Sequence, residues 1–256
     1  MSDPKRTPTR SDAAVALERA KVARFVSAAF AEPHPVHLAA LSRPDVQQEL
    51  LAAVTALGID GRLVDAIVSS FLAGRANEDA YNKLLGHTVR SECPPYEMEY
   101  RTAEIFQQSQ TLADIAGFYR AFGVDATGPL TERADHAATE WEFLAVLSMK
   151  EGLARRDEDV ECCTAALRAF LEEHAASWMF AFFERIRRAD SGSFLAHVAD
   201  LADVMLRQWC GQLEVAVGRQ WLELRPVSEE DSTISCGAAG AVELGPTLAA
   251  AMEESE

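Results

Sequence analysis

Hydrophobic residues recur every three or four positions along most of the chain, as they do on one face of an α-helix. No segment alternates with period two for long enough to make a convincing strand, so the pattern predicts an all-α fold. In the first part of the chain the predicted helices cover about 13–31, 44–58, 60–72 and 81–86. Pro33 and Pro35 stop the first of these helices, because proline lacks the backbone N–H that a helix interior needs.

The same periodicity continues in the rest of the chain. A helix is predicted to start after Pro94-Pro95, another follows a cap at Thr111, and further helices cover about 132–150, 160–188 and 194–223. The resulting bundle has two helical halves joined by a central loop. Its expected divisions are a flexible lead over 1–10, helical halves over 11–124 and 125–225, and an acidic, mostly flexible tail over 226–256.

The helix predicted over 132–150 mixes polar and apolar side chains on one face, where it aligns His136, Glu140, Phe143, Leu144 and Leu147. A buried polar group without a partner costs about 1–3 kcal/mol. His136 and Glu140 are four residues apart, so we expect their side chains to satisfy each other's hydrogen-bonding needs. Asp135 falls on the neighbouring face. His174 lies on another apolar stripe, and we expect it to be a hydrogen-bonded core histidine.

Composition and charge narrow the class of partner. Of the 256 residues 48% are hydrophobic, which is enough to bury a sizeable core, and the formal net charge is −16. A strongly acidic chain is a poor match for nucleic acid or for anionic lipid, and it favours a basic partner. Residues 1–130 carry 13 basic and 16 acidic side chains, whereas residues 131–256 carry 11 and 24, so a basic ligand would be drawn mainly to the second half.

Cysteine usage and the N-terminus indicate a cytoplasmic protein. The five cysteines are odd in number and include no CxxC pair, which argues against a disulfide framework or a zinc site and favours a reducing compartment. Residues 1–12 are polar and lack the apolar core of a signal peptide. The longest uncharged apolar run, 175–183, is too short to span a bilayer.

Motifs for catalysis are absent from the sequence. There is no GxxxxGK[ST], no GxGxxG after a strand and no HExxH. His136 and Glu140 have the i,i+4 spacing of metal ligands, but two ligands do not close a metal site. No serine or cysteine in the same stretch makes a credible nucleophile. We therefore expect no catalytic residue, no metal and no cofactor, and a helical binding scaffold with an acidic face rather than an enzyme.

Five motifs in a fixed order resemble the TorD-like chaperones of redox enzyme maturation. They are YNKLLGHT, CPPYEMEY, TLADIAGFYRAFG, ERADHAATEWEFLAVLSMKE and FLEEHAASW, and together they cover about residues 81–178. The resemblance is nearest to the chaperones of type II DMSO-reductase-family molybdoenzymes. Members of that group serve ethylbenzene dehydrogenase, dimethylsulfide dehydrogenase, and selenate and chlorate reductases.

This resemblance implies an all-helical cytoplasmic protein that is a chaperone and not an enzyme. Such a chaperone binds the N-terminal region of a molybdenum enzyme's catalytic subunit, often a twin-arginine leader peptide. It holds the apo-form until the molybdopterin guanine dinucleotide cofactor is inserted, and so delays export. Domain swapping through the central loop occurs in this family, which makes a homodimer one expected state.

The resemblance also implies the site residues, which match the family's PPYE and loop-plus-DH signatures: Pro95, Tyr96, Glu97, Tyr100, Asp135, His136 and Glu140. Carboxylates take arginine in bidentate, charge-assisted pairs, and tyrosines cover apolar segments. We therefore expect Glu97, Asp135 and Glu140 to supply charge. Tyr96 and Tyr100 would supply contact area, and His136 would orient the site. Ala134 stands where the family commonly has proline.

Three alternatives stay open on the sequence. The chain could be an accessory or structural subunit that is retained in the enzyme complex. It could be a nucleotide-binding protein, although the missing phosphate loop speaks against this. It could also serve a client that has no export signal, as in the nitrate-reductase branch of the family.

Overall fold

The computed structural model describes residues 10–86, 91–101, 105–124 and 133–226. Within these ranges the backbone is helical and forms no strand, which confirms the all-α prediction. The α-helices are α1 Arg10–Phe30, α2 Pro35–Leu41, α3 Pro44–Ala56, α4 Arg62–Leu72, α5 Glu78–Leu84, α6 Ile105–Ala121, α7 Ala137–Leu153, α8 Asp157–Phe170, α9 Ala176–Ala189 and α10 Phe194–Leu213. A 3₁₀ turn covers Glu97–Glu99, and a π-helical turn over Leu171–Ala175 joins α8 to α9.

Local sequence signals account for many of the helix ends. Pro44 occupies the first turn of α3, where its missing N–H costs nothing. Asn77 caps α5 by accepting the N–H of Ala80 at 2.8 Å, and Ser193 caps α10 by accepting the N–H of Ala196 at 3.1 Å. Gly58 follows α3 with a φ of +70°, a conformation that glycine adopts without strain.

The core is organised around the packing of α1 along α7. Gly152 permits close approach of the two helices, since a Cβ atom there would lie 2.7 Å from Cγ of Leu17 in α1. Near the other end of α7, the Ser27 hydroxyl donates to the carbonyl of Ala138 at 2.8 Å. The helices α8, α9 and α10 pack around this pair, and their buried aromatic rings fill the centre of the molecule. The N-terminus of α7 is thereby held against the interior.

Three predicted helix starts need correction. The Pro94-Pro95 stretch does not begin a long helix, because its backbone pairs with the chain before α7 and leaves only the 3₁₀ turn at Glu97–Glu99. Thr111 lies inside α6 rather than at its cap. The helix predicted over 132–150 begins later, at Ala137, so that Asp135 and His136 precede it.

Two further differences concern a short helix that was not predicted and the end of the last helix. Pro35 does end the preceding helical run, but it also opens the short helix α2, which the sequence reading missed. The last helix stops at Leu213, ten residues before its predicted end at residue 223, where Glu214 adopts a left-handed φ of +55°. Residues 214–226 then continue without helical structure, and we call them the C-terminal strap.

No helix in the described part of the chain is long and apolar enough to cross a membrane. The division into two halves joined by a central loop stays a prediction, because residues 125–132 lie outside the described ranges. Nearly all of the predicted lead and of the predicted tail also lie outside them.

Candidate functional site

Segment 91–101 and the N-terminus of α7 bring the seven predicted site residues together. The N–H of Glu97 donates to the carbonyl of Asp135 at 2.9 Å, and the N–H of Ala137 donates to the carbonyl of Pro95 at 2.8 Å. Tyr96 and His136 form an antiparallel bridge between these two bonds. The two motifs, about 40 residues apart in sequence, are therefore one structural unit.

Asp135 anchors this unit through charged hydrogen bonds. Its fully buried carboxylate accepts two bonds from Arg133, each 2.9 Å long, and one from the N–H of Met98 at 3.2 Å. Burial raises the pKa of Asp135, and the Arg133 guanidinium and the Met98 N–H oppose that rise. The Arg133 side chain is 38% exposed, so this buried carboxylate is linked to the surface through a single arginine.

His136 caps α7 as a neutral imidazole. Its Nδ1 accepts a hydrogen bond from the N–H of Ala138 at 3.1 Å. Its ring packs against the Tyr96 ring in a T-shaped arrangement, with the ring centroids 5.0 Å apart. Burial, and to a smaller extent the nearby Arg133, lowers the pKa of His136 to about 3. The guanidinium of Arg133 also covers the Tyr96 ring, 4.6 Å from its centroid. His136 thus orients the start of the helix, whereas its role in orienting a binding site stays a prediction.

Glu140 is completely buried and bonds to a tryptophan. Both of its carboxyl oxygens lie 3.2 Å from Nε1 of Trp178, which donates to them. Burial and the neighbouring Glu97 raise the pKa of Glu140 well above its usual value. The expected pairing of His136 with Glu140 is therefore wrong, because each side chain finds a different partner.

Glu97 connects the site to His174 and Arg101. Its buried carboxylate lies 3.2 Å from Nδ1 of His174 and forms an ion pair with Arg101. The opposite ring nitrogen of His174, Nε2, lies 3.3 Å from Oδ2 of Asp114 in α6. The prediction that His174 is a hydrogen-bonded interior histidine is confirmed.

The remaining predicted residues pack rather than present charge. Pro95 and Tyr100 are buried, and the Tyr100 ring lies 5.1 Å from that of Trp178. Tyr96 is half-buried. The accessible polar groups next to the site are instead Asp114, Arg133 and Arg101, whose side chains are 57%, 38% and 32% exposed.

Sequence reasoning missed these accessible neighbours and Trp178. Arg101 was detectable, since it follows Glu97 at the i,i+4 spacing of an ion pair. Asp114 and Trp178 carry no local signal, because the fold brings them to the site from 60 and 38 residues away from their partners. In the described residues, Asp114, Glu173 and His174 also form a set of donor atoms that can hold a metal ion.

Comparison with known proteins gives consistent matches. A family model described as the nitrate reductase delta subunit matches residues 67–184, a range that contains the whole site. The selenate reductase assembly chaperone protein of Thauera selenatis is 38% identical over 81 residues, which are 31% of this chain and 42% of that protein. The chlorate reductase assembly chaperone protein of Ideonella dechloratans is 37% identical over the same length and shares.

A longer but weaker match is the chaperone protein TorD of Vibrio cholerae serotype O1, 24% identical over 177 residues, with 57% of this chain and 79% of that protein covered. The chain spans less than half the length of the two reductase assembly chaperones that it matches.

Proposed function

Because this chain belongs to the TorD-like family of maturation chaperones, we propose that it is a system-specific chaperone for a molybdoenzyme catalytic subunit. It binds the N-terminal leader of that subunit and holds the apo-form until the molybdenum cofactor is inserted, before export. The observation that carries this proposal is the 38% identity to a selenate reductase assembly chaperone. The chain itself acts by binding and not by catalysis.

The charge arrangement supports a leader that contains arginines. Two fully buried carboxylates, Glu97 and Asp135, each hold a guanidinium whose side chain is only partly buried, that of Arg101 and that of Arg133. In our proposal, two arginines of the leader displace these internal arginines when the client binds, and they take the same positions beside the two carboxylates. The exchange replaces one charge-assisted pair by another, so neither buried carboxylate loses its partner.

Apolar contact must supply most of the remaining affinity. Exposed ion pairs contribute only about 0–1 kcal/mol each, and salt screens them. Tyr96 is half-buried beside Arg133, so displacement of this arginine uncovers an aromatic face for the apolar segment that follows the leader arginines.

A peptide-binding experiment tests this assignment. The probe is a synthetic leader with two adjacent arginines before an apolar segment, and its control carries two lysines instead. We expect the full chain to bind the arginine peptide more tightly, because only guanidinium forms bidentate carboxylate pairs. Arg133→Gln should strengthen binding, since it removes the internal competitor, and Asp135→Asn should weaken it.

Asp159→Asn is the matched control, because Asp159 forms a similar bidentate pair with Arg156 on the exposed surface. It should leave peptide affinity unchanged. If the double variant Glu97→Gln, Asp135→Asn binds the arginine peptide like the wild type at low salt, these residues are not the leader site.

A second candidate function is a subunit that stays in the finished enzyme, which the description of the matched family as a delta subunit favours. Purification of the active client enzyme separates the two functions. A chaperone is absent from the cofactor-loaded enzyme, whereas a structural subunit is recovered with it at a fixed ratio.

A further inference from the structure

A histidine and two carboxylates converge beside the candidate site from different parts of the chain. Asp114 lies in α6, whereas Glu173 and His174 belong to the π-helical turn that joins α8 to α9. One donor atom from each residue lies within 4.8 Å of the other two, and Nε2 of His174 is 3.3 Å from Oδ2 of Asp114. Donors around a tetrahedral Zn²⁺ with bonds of about 2.1 Å stand about 3.4 Å apart, so small side-chain adjustments close the set.

The histidine is held in the orientation that a metal ligand needs. His174 is 2% exposed, and its Nδ1 lies 3.2 Å from the buried carboxylate of Glu97. A carboxylate on one ring nitrogen fixes the proton there and directs the lone pair of the other nitrogen outward, as in carboxylate–histidine–zinc triads. Here that other nitrogen, Nε2, points at the carboxylate of Asp114. The Asp114 carboxylate is thus placed to share a cation with Nε2 of His174.

The backbone at this point also departs from ordinary helix geometry. The wider π turn over Leu171–Ala175 turns His174 inward, while the adjacent Glu173 is exposed. Single π turns inside α-helices are rare and are frequent at functional sites. Arg101 contacts the Glu173 carbonyl, the Ser177 hydroxyl and the Glu97 carboxylate, so it ties this turn to the candidate site.

We propose that Asp114, Glu173 and His174 bind one divalent transition-metal ion, and Zn²⁺ is the representative ion. One imidazole and two carboxylates are ligands that Zn²⁺ accepts, and water completes the four-coordinate sphere. The bound ion links α6 to the junction of α8 and α9, directly behind Glu97. The metal proposal does not depend on the proposed function, although His174 contacts Glu97, one of the two carboxylates assigned to the leader. Sequence spacing did not reveal it, because Asp114 lies about 60 residues from the adjacent ligands Glu173 and His174.

The test is a calorimetric titration of Zn²⁺ into the chelator-treated full chain. We expect one equivalent to bind, with affinity reduced at least about tenfold in Asp114→Asn and in Glu173→Gln, since loss of even an outer partner typically costs 10–100-fold. Both side chains are exposed, so these substitutions leave the core intact. Glu172→Gln is the matched control, because Glu172 is the adjacent exposed glutamate on the same turn, and it should bind like the wild type.

Absorption of the Co²⁺-substituted chain distinguishes this site from other donors on the surface. Nitrogen and oxygen ligands give weak visible bands alone, whereas Cys162 would add strong thiolate charge-transfer absorption. The proposal is overturned if the wild type binds no Zn²⁺, if Asp114→Asn and Glu173→Gln bind like the wild type, or if thiolate bands appear. It is also overturned if His37→Gln, which removes one histidine of the exposed His34–His37 pair elsewhere in the chain, abolishes binding.

Discussion

Two titratable side chains at the N-terminus of α7 make stability depend on pH in opposite directions. Glu140 has a raised pKa in the folded protein, so the folded state holds its proton more tightly than the unfolded chain does. His136 has a lowered pKa, so the folded state holds its proton less tightly. Single substitutions separate the two contributions, which partly cancel in the wild type.

Glu140→Gln should remove the cost of keeping an acid protonated in the core. In the wild type the contribution of Glu140 is complete below the unfolded pKa and is lost as the pH rises towards the raised folded value. Glutamine stays neutral and can still accept the Trp178 N–H. Relative to the wild type, its unfolding free energy should therefore improve above about pH 4.5, by up to about 1.4 kcal/mol for each pH unit.

Urea denaturation between pH 5 and pH 8 measures this difference. The control is Glu142→Gln at the exposed neighbouring glutamate, which should not reproduce the result for Glu140→Gln. A pH-independent difference between Glu140→Gln and the wild type would contradict the raised pKa of Glu140.

His136→Asn should act in the opposite direction. The folded pKa of about 3 means that the contribution of His136 is complete above the unfolded pKa of about 6.5 and is lost as the pH falls towards 3. Asparagine is a favoured helix cap that does not titrate. Between pH 7.5 and pH 5 the unfolding free energy of the variant, relative to that of the wild type, should increase by about 2 kcal/mol. Denaturation at the two pH values measures this change.

His136→Ala is the companion variant. It should show the same pH trend from a lower baseline, because loss of a cap costs about 0.5–2 kcal/mol. If neither variant changes the pH dependence, the imidazole is not buried in its neutral form.

Asp135→Asn should destabilise the fold, since it breaks a buried bidentate pair and weakens the bond to the Met98 N–H. Hydrogen bonds to charged groups are worth about 1.5–3 kcal/mol, and we expect a loss of that order in the unfolding free energy. The exposed Asp159→Asn should cost less than about 1 kcal/mol, although it breaks a pair of the same type. Equal losses for the two variants would contradict the anchoring role of Asp135.

At this scale the sequence predicted which residues are unusual but not what they contact. The polar positions His136 and Glu140 on an apolar face were identifiable from spacing alone. Their partners were not, because His136 can cap the Ala138 N–H only when α7 begins at Ala137, and Trp178 lies on a helix that is distant in sequence. The buried state of Glu97 and Asp135 was likewise not predictable, since charged residues are usually exposed.

Among the elements, the C-terminal strap has the least expected structure. The Arg225 N–H donates to the carbonyl of Glu99 at 2.8 Å, and Arg185 in α9 donates to the carbonyl of Leu222 at 2.8 Å. The guanidinium of Arg185 also lies 4.3 Å from the ring centre of Trp221. These contacts fasten the strap across α9 and onto the segment that carries the site.

Gly218→Ala should release the strap. A Cβ atom at Gly218 would clash with the backbone carbonyl of Ala176, which cannot move without disturbing the π turn. We expect faster hydrogen exchange over residues 215–226, measured by mass spectrometry, with little change in α10. Gly211→Ala is the control, because a Cβ atom there meets nothing within 4 Å and should stabilise α10 by about 0.5–1 kcal/mol. Unchanged exchange in the strap of Gly218→Ala would contradict this packing.

The periodicity of apolar residues predicted helices well where packing on one face decides the structure, as in α1, α3 and α4. It failed where hydrogen bonds to the backbone from distant parts of the chain determine the structure. The Pro94-Pro95 stretch does not continue into a helix because residues 95–97 pair with residues 135–137. The strap leaves the helical path because Glu99 and Arg185 bind its backbone. Neither interaction has a signature in the local sequence.

For the whole molecule, charge is the property that the sequence states most directly. The net charge of −16 predicts that affinity for a basic leader falls as salt rises, because screening weakens exposed charge pairs. The existence of a domain-swapped homodimer stays a prediction. Light scattering on the purified full chain would decide it.

The most direct test of the chaperone function is affinity capture from the native cell extract with the full chain as bait, followed by mass spectrometry of the captured proteins. We predict recovery of a molybdenum-enzyme catalytic subunit that retains its N-terminal leader and lacks cofactor. Asp135→Asn should recover less of it, whereas Asp159→Asn should recover as much as the wild type. Recovery of only the mature, cofactor-loaded complex, with this chain at a fixed ratio, would contradict the chaperone function and identify a structural subunit.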